Sequence, residues 1–416
     1  MQSRLFVMGA AVLLAQLLPV HAHATGQNDT PLTLEQAISL TLSNNPALRS
    51  AADSVAIAEG ARLQAGLPPN PELSLLREGR SSLNSTETIQ LSQVLEIGGK
   101  RGARVQLADQ ERLLAASDAG VLRATLRADV TAAYLDALTA QEHVALASES
   151  LNLASKASNA ASRRVAAGKI SPLEQTRSKV AEAGARLELS QAIADASLAR
   201  RRLAAFWGAN AAPEQPLLTP ETGLAGIPTL SELQARLETS PQMQRPRMQV
   251  QREQAQLTLA RAERIPDLTI TLGSKKEQQS NLSQAVFGLS IPLPLFDRNQ
   301  GNLLSAQRRI DKARSDAELE YLQASQALVQ AHQRATLAQE QIDAMRKEIL
   351  PAAQTAFDAA VTGFELGKFG FIDVLDAQRT LFQSRAQYLN ALAVRYRALA
   401  ELERFVAVEP TDRKTK

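Results

Sequence analysis

Asn45-Pro46, Pro71-Glu72-Leu73, Leu91-Ser92, Ala140-Gln141-Glu142 and Gly168-Lys169 stand in the first half of the chain; Ser240-Pro241, Pro266-Asp267-Leu268, Leu289-Ser290, Ala338-Gln339-Glu340 and Gly367-Lys368 follow in the same order in the second. The offset drifts only from 195 through 198 to 199, and Phe206 meets Phe405 at 199. An Ala-rich chain produces chance identities, but not an ordered series at a nearly constant spacing, so the chain is an internal duplication. A period of about 197 residues is far longer than the roughly 20–50 residues of a solenoid unit. Each half is therefore a full structural unit.

The repeat sets the organisation. Residues 25–209 form the first copy and 229–408 the second; 210–228, rich in Pro and Gly, read as the linker, and 409–416 as a polar C-terminal tail. Ahead of the first copy, Arg4 precedes an apolar run from Leu5 to Val20 that ends in His21-Ala22-His23-Ala24. The run is shorter than the roughly 20 residues a spanning helix needs. With its charge and small-x-small ending it reads as a secretory signal, residues 1–24, cleaved after Ala24 or Ala22.

Within each copy the order is a short helix, two strands, then two long helices. Thr33 with Gln36 forms a capping box for the first helix, Asn44-Asn45-Pro46 ends it, and a second helical stretch runs to Gly66-Leu67-Pro68-Pro69-Asn70-Pro71. Asp267 to Leu272 alternates Leu268, Ile270 and Leu272 with threonines, and Phe287, Leu289, Ile291 and Leu293 alternate with Gly288, Ser290 and Pro292, the period-two signature of a strand. In the first copy Ile89 and Leu91 alternate with Gln90 and Ser92, Leu73 and Leu75 flank Ser74, and Ser81 to Thr86 supplies the turn. The strands alone leave open whether the apolar face meets a soluble core or lipid.

Arg101 to Arg164 holds no proline and is dominated by helix formers. About 60 residues at 1.5 Å each span roughly 90 Å. Its counterpart runs from Asn302 to Thr362 with a kink expected at Pro351, and helices return over Pro172–Phe206 and Phe371–Phe405. Helices of this length exceed the globular norm. Many small Ala side chains permit the close approach of an extended coiled coil.

Composition removes several function classes. Of 416 residues, 44% are apolar, 21% charged and 4% aromatic, which excludes both a disordered tail protein and a bundle of hydrophobic membrane helices. A formal charge of +3 makes no basic stripe for nucleic acid. The absence of cysteine excludes disulfides, thiolate metal sites, a Cys nucleophile and lipidation through an N-terminal Cys. His143 and His332 do not correspond under the repeat, and Met243, Met248 and Met345 form no close-spaced set, so no metal site and no cofactor is expected. No G-x-S-x-G, phosphate loop, HExxH or Gly-rich dinucleotide turn is present. The chain is not expected to be an enzyme.

Four strands pose a closure problem. An open sheet in a bilayer leaves its edge N–H and C=O groups facing hydrocarbon, so several copies must share one barrel. Two chains give eight strands, an interior filled by side chains; three give twelve and leave a lumen. Three is the economical number.

At this point the residues resemble a known family. The duplicated helix-strand-strand-helix-helix order is similar to the TolC-like outer-membrane channels of bacterial tripartite efflux systems. QVLEIGGKRGAR, from Gln93 to Arg104, and LPPNPEL, from Leu67 to Leu73, look like the subgroup of heavy-metal pumps, the cobalt-zinc-cadmium resistance or CzcC type. The resemblance implies a mixed α/β membrane protein in the outer membrane of a Gram-negative bacterium. It implies a homotrimer with a twelve-stranded β-barrel among outer-membrane lipids and a long α-helical coiled-coil tunnel in the periplasm. A periplasmic adaptor (membrane fusion protein) and an inner-membrane RND-type, proton-driven pump are the implied partners. The implied function is a passive exit duct for cations such as cobalt, zinc, cadmium or nickel.

The resemblance also places candidate residues. Arg-x-x-x-Gly marks the periplasmic turn between paired helices; here it reads Arg164, Gly168, Lys169, followed by Ser171-Pro172-Leu173-Glu174. The second copy reads Gly363-Phe364-Glu365-Leu366-Gly367-Lys368 and lacks the arginine, so a role for that side chain passes only to Arg164. Glycine tolerates the positive φ of a tight turn, and Pro172 suits the first turn of the returning helix. Arg164, Gly168, Lys169, Phe364, Gly367 and Lys368 are the implied adaptor-contact tips. Next comes Phe371-Ile372-Asp373-Val374-Leu375-Asp376-Ala377, whose IDVLDA string matches the family's entrance segment. Asp373 and Asp376 share a helix face and in a trimer would stack as two carboxylate rings favouring cations; taken alone, they equally suit a helix start near its favourable dipole end. Glu174 and Arg177 are their first-copy equivalents and candidate gate partners across protomers. Two other readings remain open from sequence: the same duct carrying drugs or other organic cargo, and a soluble periplasmic coiled-coil scaffold without a barrel.

Overall fold

The computed structural model describes residues 30–79, 85–209, 211, 213, 215–220 and 226–406. The signal segment with its cleavage site, most of the Ser81–Thr86 turn and the tail 409–416 lie outside the described residues. The order is α1 Leu34–Asn44, α2 Pro46–Ala65, β1 Glu72–Glu78, β2 Thr86–Leu95, α3 Lys100–Ala166 and α4 Pro172–Ala205 in the first copy. It is α5 Leu230–Thr239, α6 Pro241–Ala262, β3 Leu268–Glu277, β4 Leu282–Ser290, α7 Gln300–Ala344, α8 Leu350–Glu365 and α9 Phe371–Val406 in the second.

The same local chemistry starts corresponding elements. Thr33 and Thr229 both build capping boxes, with Gln36 and Glu232 as reciprocal partners. Asn45 and Ser240 each cap a following helix that opens on proline, the residue whose missing N–H is no loss at that position. Gly99 and Asn299, both in the left-handed region at φ 77° and 60°, precede α3 and α7. Asparagine fills the second site because its short amide tolerates that conformation and its Nδ2 donates to the Ala260 carbonyl at 2.8 Å.

The long helices pack through a slim seam. On α7 the buried residues Ala324, Leu328, Ala331, Ala335, Ala338 and Ile342 alternate spacings of four and three, the heptad pattern of a coiled coil. Helix α3, 67 residues long and so about 100 Å at 1.5 Å per residue, packs on α4, α6, α2 and α9. Arg397 to Asp136 at 2.6 Å and Arg385 to Glu149 at 2.8 Å tie α9 of the second copy to α3 of the first. Partway along the coil, α1 and α5 cover two apolar clusters, one around Tyr134 and Leu203, the other around Leu328 and Leu402.

Three expectations need correction. The disturbance at Pro351 is a π-helical turn, Met345–Ile349, that joins α7 to α8 as one helical run. The proline ring would meet the carbonyl four residues back, and the wider register relieves that contact. The last strand ends at Ser290, so Ile291 and Leu293 lie beyond it despite the alternation; Pro292 has no N–H for the ladder. The stretch read as a linker is partly built into the body. Leu217 pairs with Leu32 in a parallel bridge, and the buried Tyr134 hydroxyl lies 2.7 Å from the Leu32 and Leu218 carbonyls and accepts from the Leu218 N–H at 3.0 Å.

The four strands form one antiparallel sheet in the order β1-β2-β3-β4, so the two copies meet at the β2–β3 pairing. Register separates its faces. Leu73, Leu91, Leu272 and Phe287 lie opposite one another, as do Gln93, Ile270 and Leu289, and Leu75 with Ile89. The other face carries Ser74, Gln90, Ser92, Thr271, Gly273 and Gly288. Among the described residues no helix packs across the apolar face, and Leu75 is 73%, Phe287 80% and Leu289 69% exposed. A soluble hairpin hides this face; here it is bare, and among the described residues the outer edges of β1 and β4 have no partner strand.

Candidate functional site

The two tips share one geometry. At the first, Lys169 N–H donates to the Arg164 carbonyl at 2.9 Å and Gly168 N–H to Val165 at 2.9 Å; at the second, Lys368 N–H donates to Gly363 at 2.8 Å and Gly367 N–H to Phe364 at 3.0 Å. Both are Schellman closures with glycine at the left-handed position, φ 68° at Gly168 and 73° at Gly367. Ser171 then caps α4 through its hydroxyl, which accepts from Leu173 N–H at 3.2 Å.

The tips are not independent. The Arg164 guanidinium carbon sits 3.9 Å from the centroid of the Phe364 ring, and its Nη2 lies 3.5 Å from the Phe364 carbonyl. Phe364 in turn meets Phe371 with ring centroids 5.7 Å apart. The arginine missing from the second copy has a steric explanation: Gly363 stands in its place, and a Cβ there would fall 2.1 Å from the Phe369 ring. The second tip uses that space for an aromatic. Sequence reasoning missed the Phe364–Phe371 contact and the Phe369 ring over Gly363; the one available signal was the concentration of phenylalanines around a single turn.

Asp373 and Asp376 are both exposed in the first turns of α9. Asp373 accepts from the Gly370 N–H at 2.8 Å, so it closes the helix start as well as facing solvent. Glu174 and Arg177 lie in the first turns of α4, Arg177 exposed. Helix α4 packs on α3 and has no substantial contact with α9 in the protomer, so the structure does not bring these four residues together within one chain. Among the described residues no group of three His, Asp or Glu side chains converges on a metal-sized site, and no helix is long and apolar enough to cross a membrane.

At the opposite end of the long helices, the Gln93–Arg104 motif becomes a collar beneath the sheet. Arg104 grips both carboxylate oxygens of Glu96, Nη2 to Oε2 at 2.9 Å. The hydrogen bonds from Arg104, opposed by partial burial, hold the Glu96 carboxyl below the usual carboxylate range. Lys100 pairs with Asp267 at 2.8 Å, joining α3 to the entry of β3. Gly98, at φ 75°, lies so close to Ile265 that a Cβ would come within 2.7 Å of its side chain. The motif therefore turns strand into helix and locks one copy against the other.

A two-faced sheet with bare apolar surface and open edges, set on a long helical coil whose turns gather at one end, defines a class of channel-forming envelope proteins. Residues 37–209 and 233–407 each match the outer membrane efflux protein family, and the chain belongs to that family. It is 41% identical over 379 residues to the cobalt-zinc-cadmium resistance protein CzcC of Cupriavidus metallidurans, covering 90% of each chain. It is 30% identical to the nickel and cobalt resistance protein CnrC of the same organism, covering 73% of this chain and 74% of that one. Among solved structures it superposes on CusC with a TM-score of 0.78 at 20% identity, over 90% of this chain and 91% of that one. It superposes on the open state of the MtrE channel of Neisseria gonorrhoeae with a TM-score of 0.76 at 22% identity, over 90% and 88%. These two likenesses show a common fold.

Proposed function

We propose that the protein is the outer-membrane exit duct of a tripartite, RND-type efflux system for heavy-metal cations. Three copies pair β4 of one protomer with β1 of the next, which satisfies every open edge and closes twelve strands into a barrel. The apolar rows then face lipid and the Ser, Thr, Gln and Gly rows line the lumen. Below it the helices of three protomers enclose a periplasmic tunnel. The tips around Arg164, Gly168, Lys169, Phe364, Gly367 and Lys368 meet a periplasmic adaptor, which connects the duct to an inner-membrane pump.

Asp373 and Asp376 ring the entrance and favour cations over anions, with Glu174 and Arg177 of neighbouring protomers as gate partners. A duct of this kind needs no tight metal site, because strong binding slows release. The observation that carries the cargo assignment is the 41% identity with CzcC over 90% of both chains.

Metal tolerance of a deletion strain tests the cargo. Deletion is expected to lower tolerance to at least one of cobalt, zinc, cadmium and nickel, with recovery when the gene is returned. Unchanged tolerance to all four together with new sensitivity to organic drugs would reassign the duct to organic cargo.

A further inference from the structure

The two strand-to-helix passages are unequal. From β2 to α3 the chain takes four residues, 96–99, and from β4 to α7 it takes nine, 291–299. The longer passage opens with Ile291-Pro292-Leu293-Pro294-Leu295-Phe296, six apolar residues in succession. All six are exposed, with Leu293 at 76%, Leu295 at 65% and Phe296 at 91%. Pro292 and Pro294 hold the chain extended and withdraw two N–H donors, so the segment leaves the ladder without forming a fifth strand. Leu295 N–H then donates to the Leu293 carbonyl at 2.9 Å, a tight turn that projects Phe296. Asp297 and Arg298, both exposed, follow at once.

Register fixes the level of this segment. Ser290 lies opposite Thr269, and Leu268 lies opposite Leu95, so Ile291 is at the level where β2 and β3 end. Below that level the first copy switches to the Glu96–Arg104 and Lys100–Asp267 collar, while beneath β4 the surface stays apolar for five more residues. The segment continues directly from Phe287 and Leu289, on the face that the channel reading turns to lipid.

We infer that Ile291–Phe296 is an interfacial anchor. It seats at the boundary of headgroups and acyl chains in the periplasmic leaflet of the outer membrane, with Arg298 at phospholipid phosphate depth. Apolar and aromatic side chains followed by a cation suit that boundary, where one end is apolar and the other wet. A trimer carries three such anchors around the barrel base, which set its depth and resist axial load from the tunnel. This inference rests on the barrel reading, and its test separates the two.

The chain has no cysteine, so single-cysteine variants each accept one bimane label. Leu289→Cys reports the barrel wall, Leu293→Cys and Phe296→Cys the segment, and Arg308→Cys, on the exposed surface of α7, the aqueous side. Each labelled protein is first shown to keep the wild-type oligomer on an unheated gel. It is then placed in phosphatidylethanolamine–phosphatidylglycerol vesicles containing a shallow doxyl-labelled lipid, or in plain vesicles with added iodide. The expected result is at least twofold quenching by the doxyl lipid at Leu289, Leu293 and Phe296, and quenching by iodide alone at Arg308. Lipid quenching at Leu289 without it at Leu293 and Phe296 overturns the anchor and spares the barrel. In that case protection from both quenchers puts a neighbouring copy over the segment, and iodide quenching puts water there. Absence of lipid quenching at Leu289 overturns the barrel reading itself.

Discussion

Asp373 and Asp376 lie about one turn apart at the start of α9 but do different jobs. Asp373 spends one carboxylate oxygen on the Gly370 N–H, whereas Asp376, a turn further in, is not part of that cap. Neutralising either removes charge from the proposed entrance, but only Asp373→Asn also weakens the start of the helix. In planar lipid, Asp376→Asn is expected to lower the cation-to-anion permeability ratio severalfold with unchanged thermal stability. Asp373→Asn is expected to lower both, since removing a negative charge from the first turn of a helix costs about 0.3–1 kcal/mol. Unaltered selectivity in both variants would remove the aspartates from the conduction path. Tyr134 is the other residue whose chemistry stands out. It is fully buried, burial raises its phenol above the ordinary range, and its oxygen accepts from the Leu218 N–H. Tyr134→Phe removes the hydroxyl shared by the Leu32 and Leu218 carbonyls and leaves the Leu218 N–H only its longer bond to the Leu32 carbonyl at 3.4 Å, so a loss of about 1–3 kcal/mol is expected in denaturant unfolding.

At the scale of elements, the junction of β2 and α3 bears the mechanical connection between barrel and coil. Its carboxylate, Glu96, is held low chiefly by hydrogen bonds from Arg104. A carboxyl whose folded pKa is depressed adds stability that is fully present above its unfolded value, about 4.3, and that disappears as pH falls through the folded one. The melting temperature of Glu96→Gln should therefore lie below wild type at neutral pH, and the gap should close as pH drops below about 4. A gap of constant size down to pH 3 would mean that ionisation of Glu96 is irrelevant. The same junction shows what sequence made readable. A left-handed turn and helix starts were marked by Gly168, Ser171-Pro172 and the Thr33–Gln36 capping box, because local backbone chemistry depends on the residues beside it; Gly98 and Gly99 were not read that way. The end of β4 was misplaced because alternation continues through Ile291 and Leu293, and periodicity does not register the missing N–H of Pro292.

The whole molecule is organised by incompleteness. Among the described residues, one chain carries a sheet with two open edges and an apolar face that no helix covers, an arrangement whose polar edges demand partners in lipid. Purified protein is accordingly expected to run as a trimer on an unheated gel and to collapse to monomer on boiling, and to sediment with outer membrane. A soluble monomer would count against barrel closure. Duplication, the helix-strand-strand-helix-helix order and the long Ala-rich coil could be read from the chain alone, because each follows from local propensity, spacing or internal similarity; the Gly-Lys tips came with the family resemblance. Tertiary structure decided what those patterns leave degenerate. It showed that the apolar sheet face is bare and that Arg164 reaches across to the Phe364 ring. It showed that Gly363 yields its place to Phe369, and that the Gln93–Arg104 motif closes on Glu96 and Asp267. Contacts between residues some 200 apart depend on the packing of entire helices, and no local pattern encodes which long-range neighbour a side chain will meet.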